Sequence, residues 1–409
     1  MTKRRRRYVT DCSFDLERRG PREFLNSFKS IGRKRQQTVV FAGFTDRGDV
    51  DFGAGAFTGA IGDSITVIPL VVALALLTDV SLPHALVAFG VFQIVWGVGY
   101  GLPISVEPMK ALAALAIAGA LTYAELALAG VVLGVVLLVI GLSGTLARVE
   151  RWIGEPVIRG VQFAVGLILL ETALSLAVGD PTLALAGVAI AAGAVLLGHA
   201  KASALAVALA GVLLALYAAG VPSAQWPGAP PVPSLSEGLT RSAFDGVFAQ
   251  LAMTIGNAAL ATSLLFSDLL DADVRPDELS TSMGVTNLLA VPIGGIPMCH
   301  GCDGVAGKHA FGARTGGANV VLGGGYLVAA LFATPALLAA FPVAMLGALL
   351  AIVALSLARN VTDSSNLAIS VAIGALTLAT NLGVAFLAGV VAHLAWERID
   401  GGGEDSRQL

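Results

Sequence analysis

Residues 291–317 read VPIGGIPMCHGCDGVAGKHAFGARTGG. They lie in a very apolar second half, yet they hold two prolines, a series of glycines, two cysteines, two histidines, Asp303, Lys308 and Arg314. A membrane helix accepts that composition only where its backbone is broken and lines a cavity. A quieter counterpart in the first half, residues 99–119, reads GYGLPISVEPMKALAALAIAG. We read the two as halves of one ligand site, held by the helices around them.

The rest of the chain sets the context. Of its 409 residues 56% are hydrophobic and 13% charged, against about 25% charged in soluble domains. Apolar runs of membrane-spanning length recur from residue 52 onward, so the expected class is an all-α polytopic membrane protein. A β-barrel would show short alternating segments instead. Residues 1–47 carry 13 of the 25 Lys and Arg and form a basic leader. Such a leader suits either nucleic-acid or lipid contact, or a cytoplasmic segment obeying the positive-inside rule; we adopt the second, with no nucleic-acid partner.

Expected spans fall near 53–77, 82–99, 108–120, 123–142, 157–178, 181–198 and 202–219. A polar, Pro-rich link at 221–243 follows, and then seven more spans near 244–266, 280–293, 301–311, 318–333, 335–354, 367–380 and 382–396. The first is expected to be interrupted at Gly62-Asp63-Ser64. The organisation is thus a leader (1–47), a first repeat (48–220), an extracytoplasmic link (221–243), a second repeat (244–398) and a short tail (399–409). With the N-terminus inside, Arg148, Arg151, Arg159, Lys201, Arg275, Lys308, Arg314, Arg359 and Arg398 all fall on the inner side, as the positive-inside rule asks. The expectation is fourteen spans, a multi-pass protein of the cell membrane with both termini cytoplasmic. Seven is odd, so the halves are inverted. Matching broken third and tenth segments in inverted halves point to a transporter's site.

The chemistry of the two segments is similar. Pro103 and Pro108 favour an extended approach, and Pro108 suits the first helical position because its missing N–H has no partner to lose. A half-helix starting there offers free N–H groups and a positive dipole end. Lys110 in that first turn is disfavoured by the dipole unless an anion is near. In the second segment Gly301, Gly304 and Gly307 recur every third residue and allow close backbone approach. A small oxyanion fits between two such starts. Candidate contacts are Ser64, Thr66, Ser105, Val106, Glu107, Met109, Lys110, Asn257, Cys299, His300, Gly301 and Cys302, with Thr254 nearby.

Plainer readings stand beside these. Lys110 can pair with Glu107 three residues earlier. Lys308 and Arg314 either attract the anion or are inner-loop charges. Asp63 is either a helix-break cap or a site residue. Glu171 stands alone in its span and faces a helix interface or water. Cys299-x-x-Cys302 with His300 and His309 suits a metal or simple packing of small polarizable side chains; we expect packing, with no metal and no cofactor.

PISVEPMKALAALAIA and GGIPMCHGCDGVAGKHAFGARTGG resemble the two signature motifs of the molybdate transporter family, which is related to the sulfate permeases; their usual forms are close to PxxVQPMKAIAA and PxCHGxGGLAxxYxFGAR. GDSITVIPL and QLAMTIGNAALATSLLFSDLL resemble further landmarks, and the resemblance spans roughly 40–395. It implies a seven-plus-seven inverted repeat with a core domain (spans 1–4 and 8–11) and a gate domain (spans 5–7 and 12–14). It also implies uptake of molybdate, with sulfate or tungstate as other cargoes, and a homodimer. The cytoplasmic C-terminal domain of many sulfate permeases is not expected here.

Glu107 stands where the family usually has Gln, and Asp303 where a small residue is usual. Ionised, the two would repel a dianion. Either they carry protons with the substrate, or they pair with Lys110 and Lys308, or the substrate differs. The leading reading is proton-coupled oxyanion symport by alternating access, with Glu107, Asp303 and Asp63 as proton-coupling candidates and Glu107 foremost. No GxxxxGK[ST] occurs, so the drive is an ion gradient or the anion's own. We expect no enzyme. The alternatives are a nucleobase or other small-anion carrier of the same fold, a metal-binding membrane protein, and a channel.

Overall fold

The computed structural model describes residues 50–405 and is all helix apart from one pair of two-residue strands. The leader at 1–47, including Cys12, lies outside the described residues. The first half holds α1 (Ala54–Leu77), α2 (Leu82–Tyr100), β1 (Glu107–Pro108), α3 (Lys110–Ile117), α4 (Tyr123–Ser143), α5 (Leu146–Ile153), α6 (Glu155–Gly179), α7 (Pro181–Leu196) and α8 (Ser203–Ala219). The second begins with α9 (Arg241–Met253), which continues through a π-helical stretch (Thr254–Ala261) into α10 (Thr262–Leu270). It goes on with α11 (Pro276–Ala290), β2 (Met298–Cys299), α12 (Cys302–Ala310), α13 (Gly317–Phe332), α14 (Pro335–Ala339), α15 (Val343–Arg359), α16 (Leu367–Ala379) and α17 (Leu382–Asp405).

Seven helices among the described residues are long and apolar enough to cross a bilayer, and four shorter apolar helices accompany them. Helix α11 and the two half-helices α3 and α12 complete fourteen membrane segments, so this is a multi-pass membrane protein. Packing repeats itself with the halves exchanged. Helix α2 lies on α13, and α4 lies on α11; α1 lies on α12, and α9 lies on α3; α6 lies on α16, and α15 lies on α7. The pair α6 and α15 is its own counterpart. This is the pattern a pseudo-two-fold between inverted repeats produces.

Small residues set these contacts. Without water to drive association, membrane helices depend on close backbone approach. A Cβ on Gly62 would overlap the backbone of Gly307 and Lys308, and one on Gly59 would overlap Ala313. Helix α1 is therefore pressed against α12 and the turn that follows it. The expected interruption at Gly62-Asp63-Ser64 is corrected: α1 runs unbroken through it. Gly62 is there for close packing, and Asp63 is no cap. Two further boundaries differ. Pro335 starts the separate one-turn α14, with Thr334 capping it, and the twelfth span begins only at Val343 after Pro342. The last helix runs on to Asp405, well past residue 396.

The link after α8 has no regular helix until Arg241. It is tied across one end of the first helices: His84 Nε2 lies 3.1 Å from Gly228 O, and Tyr123 donates to Pro231 O. Between α4 and α6 lies an element the sequence reading did not separate. The short α5 buries Leu146 and Ile153 and exposes Arg148 and Arg151. Arg159 is no loop charge; it is buried on α6, 3.1 Å from Glu155.

Candidate functional site

The two broken segments meet. Glu107 pairs with Cys299 and Pro108 with Met298 in an antiparallel ladder, and Met109 N donates to Pro297 O at 2.9 Å. Pro108 lies in β1 rather than at the first helical position, and α3 begins two residues later. Asn287 braces the other strand: its Oδ1 accepts from Met298 N at 2.8 Å, and its Nδ2 donates to Met298 O at 2.7 Å. Helices α3 and α12 start immediately after their strands and leave in opposite directions, so two helix N-termini converge. Each such terminus favours negative charge.

Lys110 sits between them. Its Nζ lies 3.0 Å from Glu107 Oε1 and 2.8 Å from Asp303 Oδ2, joining the starts of α3 and α12. The Glu107 side chain is 1% exposed and that of Asp303 34%, so the cluster opens on the Asp303 side. Thr66 donates to Glu107 Oε2 at 3.1 Å from α1. Gly301 makes room for the carboxylate, since a Cβ there would overlap it. Beyond the Lys110 ammonium, Glu107 Oε1 has no further donor among the described residues.

A second cluster lies beside the first and is wholly buried. Asp63 and Lys308 approach to 3.0 Å with both side chains at 0% exposure. Asp63 also accepts from Ser105 Oγ and from Gln93 Nε2, each at 2.6 Å. Lys308 further donates to Gln93 Oε1 at 2.9 Å and to Ile104 O. Asn319 donates to the same two oxygens, each at 2.6 Å. Gly304 leaves the space for this, because a Cβ there would overlap Ser105 Oγ and Asp63 Oδ1. The clusters touch through α1, where Thr66 Oγ1 also lies 3.2 Å from Asp63 O.

The structure thus brings Asp63, Thr66, Ser105, Glu107, Lys110, Gly301, Asp303 and Lys308 together. Lys308 is not a loop charge, and it pairs with Asp63 rather than Asp303; both Glu107 and Asp303 use Lys110. Val106 O accepts from Gln93, and Met109 is buried beside the ladder. Asn257, on the π-helical stretch, has Oδ1 2.8 Å from Cys302 Sγ. Ser64 faces Tyr326 at 3.5 Å instead. Arg314 is exposed and caps backbone carbonyls of His309 and Ala313, away from the cluster. Glu171 lies exposed on α6.

The two cysteines and His300 do not converge on one point. Cys299 is buried near Pro108 O, and Cys302 faces Asn257. Both ring nitrogens of His300 are engaged, Nδ1 by Ser105 O at 2.8 Å and Nε2 by Ser282 Oγ at 2.7 Å. No group of three His, Cys, Asp or Glu side chains suited to a metal occurs among the described residues. Sequence reasoning missed Gln93, Gln250, Asn287 and Asn319. Each is a single amide in an apolar run, and the one available signal was that polar side chains at membrane depth need partners.

The sequence model of the family described as "Molybdate transporter of MFS superfamily" matches residues 55–169 and 242–357, one block in each half. The chain is 30% identical to "Molybdate transporter 1" of Arabidopsis thaliana over 401 residues, covering 83% of this chain and 88% of that protein. Among solved structures, the transmembrane domain of the cyanobacterial bicarbonate transporter BicA matches with a TM-score of 0.60 at 18% identity, over 83% of this chain and 97% of that one. Murine Solute Carrier 26 family member A9, an anion transporter in its inward-facing state, matches with a TM-score of 0.66 at 14% identity, over 92% and 75%. These two show the fold, the seven-plus-seven inverted repeat.

Proposed function

This chain belongs to the molybdate transporter family, and we propose that it imports a tetrahedral oxyanion, molybdate first, with sulfate or tungstate as lesser cargoes, coupled to protons. The observation that carries this reading is the single ammonium of Lys110 shared by Glu107 and Asp303 where two half-helices begin. Each half-helix start favours an anion, and a related "Molybdate transporter 1" aligns over most of the chain.

Charge supplies the coupling. Asp63, Glu107 and Asp303 face Lys110 and Lys308, leaving one formal negative charge when all are ionised. A dianion enters such a site only with charge relief. Glu107 is the group to take the proton, because beyond the Lys110 ammonium its Oε1 has no donor among the described residues. Asp63 has donors on both oxygens, Ser105 on one and Gln93 with Lys308 on the other. Protonation of Glu107 loosens its hold on Lys110, which then turns to the anion.

Transport follows by alternating access. Helices α1–α4 and α9–α13 form a core carrying the anion, and α6–α8 with α15–α17 form the gate against which it rocks. Both termini face the cytoplasm, in keeping with the distribution of Lys and Arg. Uptake of radiolabelled molybdate into proteoliposomes tests the function. We expect uptake driven by an inward proton gradient and competed by tungstate and sulfate but not uracil. Competition by uracil alone would make this a nucleobase carrier and end the reading.

A further inference from the structure

Lys308 holds its charge inside a cage of oxygens. An ammonium has three protons to give, and three acceptors take them: Asp63 Oδ2 at 3.0 Å, Gln93 Oε1 at 2.9 Å and the Ile104 carbonyl. These oxygens come from α1, from α2 and from the unwound segment ahead of β1. All four residues are at 0% exposure.

The cage also holds an oxygen that the ammonium does not use. Asn319, itself fully buried on α13, donates its Nδ2 to Gln93 Oε1 and to Ile104 O, while its Oδ1 has no hydrogen-bond partner among the described residues. Half a turn of that amide places its oxygen beside the same two acceptors. One carboxylate, two amide oxygens and one unwound carbonyl then surround a single point. In transporters built from inverted repeats, carbonyls of unwound segments coordinate the coupling cation. The carboxylate supplies one negative charge, so the set balances a monovalent cation, and the ammonium of Lys308 fills that place.

Resting on the transport reading above, we propose that Lys308 is a tethered cation in a monovalent-cation site, and that it bars sodium from coupling. With the place filled by a group that cannot leave, an alkali ion finds no ligands here, and the proton remains as the driving ion. Without the ammonium, the buried Asp63 carboxylate stands uncompensated, which is strongly destabilising. A sodium or ammonium ion entering the vacated cage restores the balance. Because it binds the folded state alone, it raises the melting temperature with its concentration. Choline, too large for the cage, does neither.

Melting of the purified full chain in sodium chloride against choline chloride at equal ionic strength tests this, on wild type, Lys308→Ala, Lys308→Ser and the double variant Asp63→Asn with Lys308→Ala. Wild type should melt alike in both salts. Lys308→Ala should melt well below wild type in choline and gain several degrees in sodium, rising towards saturation. Ammonium chloride should do the same. In the double variant, without the carboxylate, sodium and choline should again agree. Molybdate uptake by wild type under a fixed proton gradient should be equal in the two salts. A folded Lys308→Ala protein that melts alike in sodium and choline overturns the proposal. So does a sodium response that persists in the double variant, or wild-type uptake that requires sodium. If Lys308→Ala folds in sodium but not in choline, the proposal is supported. If it folds in neither, Lys308→Ser, which adds a hydroxyl ligand, is read in the same way, and failure of both in sodium overturns the proposal. Wild type that takes up no oxyanion, with the sodium response of Lys308→Ala intact, sinks the transport reading and leaves the cation site standing.

Discussion

Asp63 and Lys308 form an ion pair 3.0 Å long in which neither side chain reaches solvent. The pair ties α1 to the second half-helix, and Ser105 ties the first broken segment to the same carboxylate. Removing one partner leaves a buried charge uncompensated, which typically costs about 3–5 kcal/mol. Asp63→Asn or Lys308→Met alone should therefore lower the melting temperature of the purified protein sharply. The double variant Asp63→Asn with Lys308→Gln should recover most of the loss. Equal melting temperatures for single and double variants would show the pair to be independent of the fold.

Two glycines hold open the space that the acids occupy. A methyl at Gly301 overlaps the Glu107 carboxylate, and one at Gly304 overlaps Ser105 and Asp63. Gly301→Ala should abolish molybdate uptake with little loss of expression, because it displaces the Glu107 carboxylate and leaves the Asp63–Lys308 pair in place. Gly304→Ala should reduce both, since it strikes the buried pair. Normal uptake by Gly301→Ala in proteoliposomes would place the anion elsewhere.

Lys110 neutralises two carboxylates at once. Lys110→Met leaves both without a cation and removes the anion's positive partner. Molybdate binding is expected to fall below detection at neutral pH, while Lys110→Arg keeps part of it. Binding retained in Lys110→Met would remove this lysine from the account.

Glu150 gives a pH-dependent stability outside the spans. Burial raises its carboxyl above the usual range; Glu155 and Glu397 add to the rise and Arg151 opposes it. A carboxyl raised on folding favours the folded state at low pH, and that contribution is lost as pH rises through the folded value. Glu150→Gln should melt higher than wild type at neutral pH, and the two should converge in acid. A gap that widens in acid would contradict this assignment.

Much of this was legible in the chain. The half-helices were visible because proline and glycine have few other uses at membrane depth, and most span limits followed from apolar runs. What the sequence concealed was partnership. Lys308 looked like an inner-loop charge, because only the contact of Gly62 with Gly307 shows that its helix is pressed against α1. Gly62-Asp63-Ser64 looked like a break for the same reason, since a packing glycine and a hinge glycine are spelled alike. Gln250 carried no local signal, as the N–H groups it meets belong to residues 139 and 138 positions away.

The central claim is that the oxyanion binds at the meeting of the half-helices together with a proton on Glu107. Proton uptake during molybdate binding tests it most directly, measured by titrating the purified protein in weakly buffered solution. The account predicts about one proton taken up per molybdate in wild type and none in Glu107→Gln, which should still bind the anion. Molybdate binding with no proton uptake in wild type, or with undiminished uptake in Glu107→Gln, would contradict it.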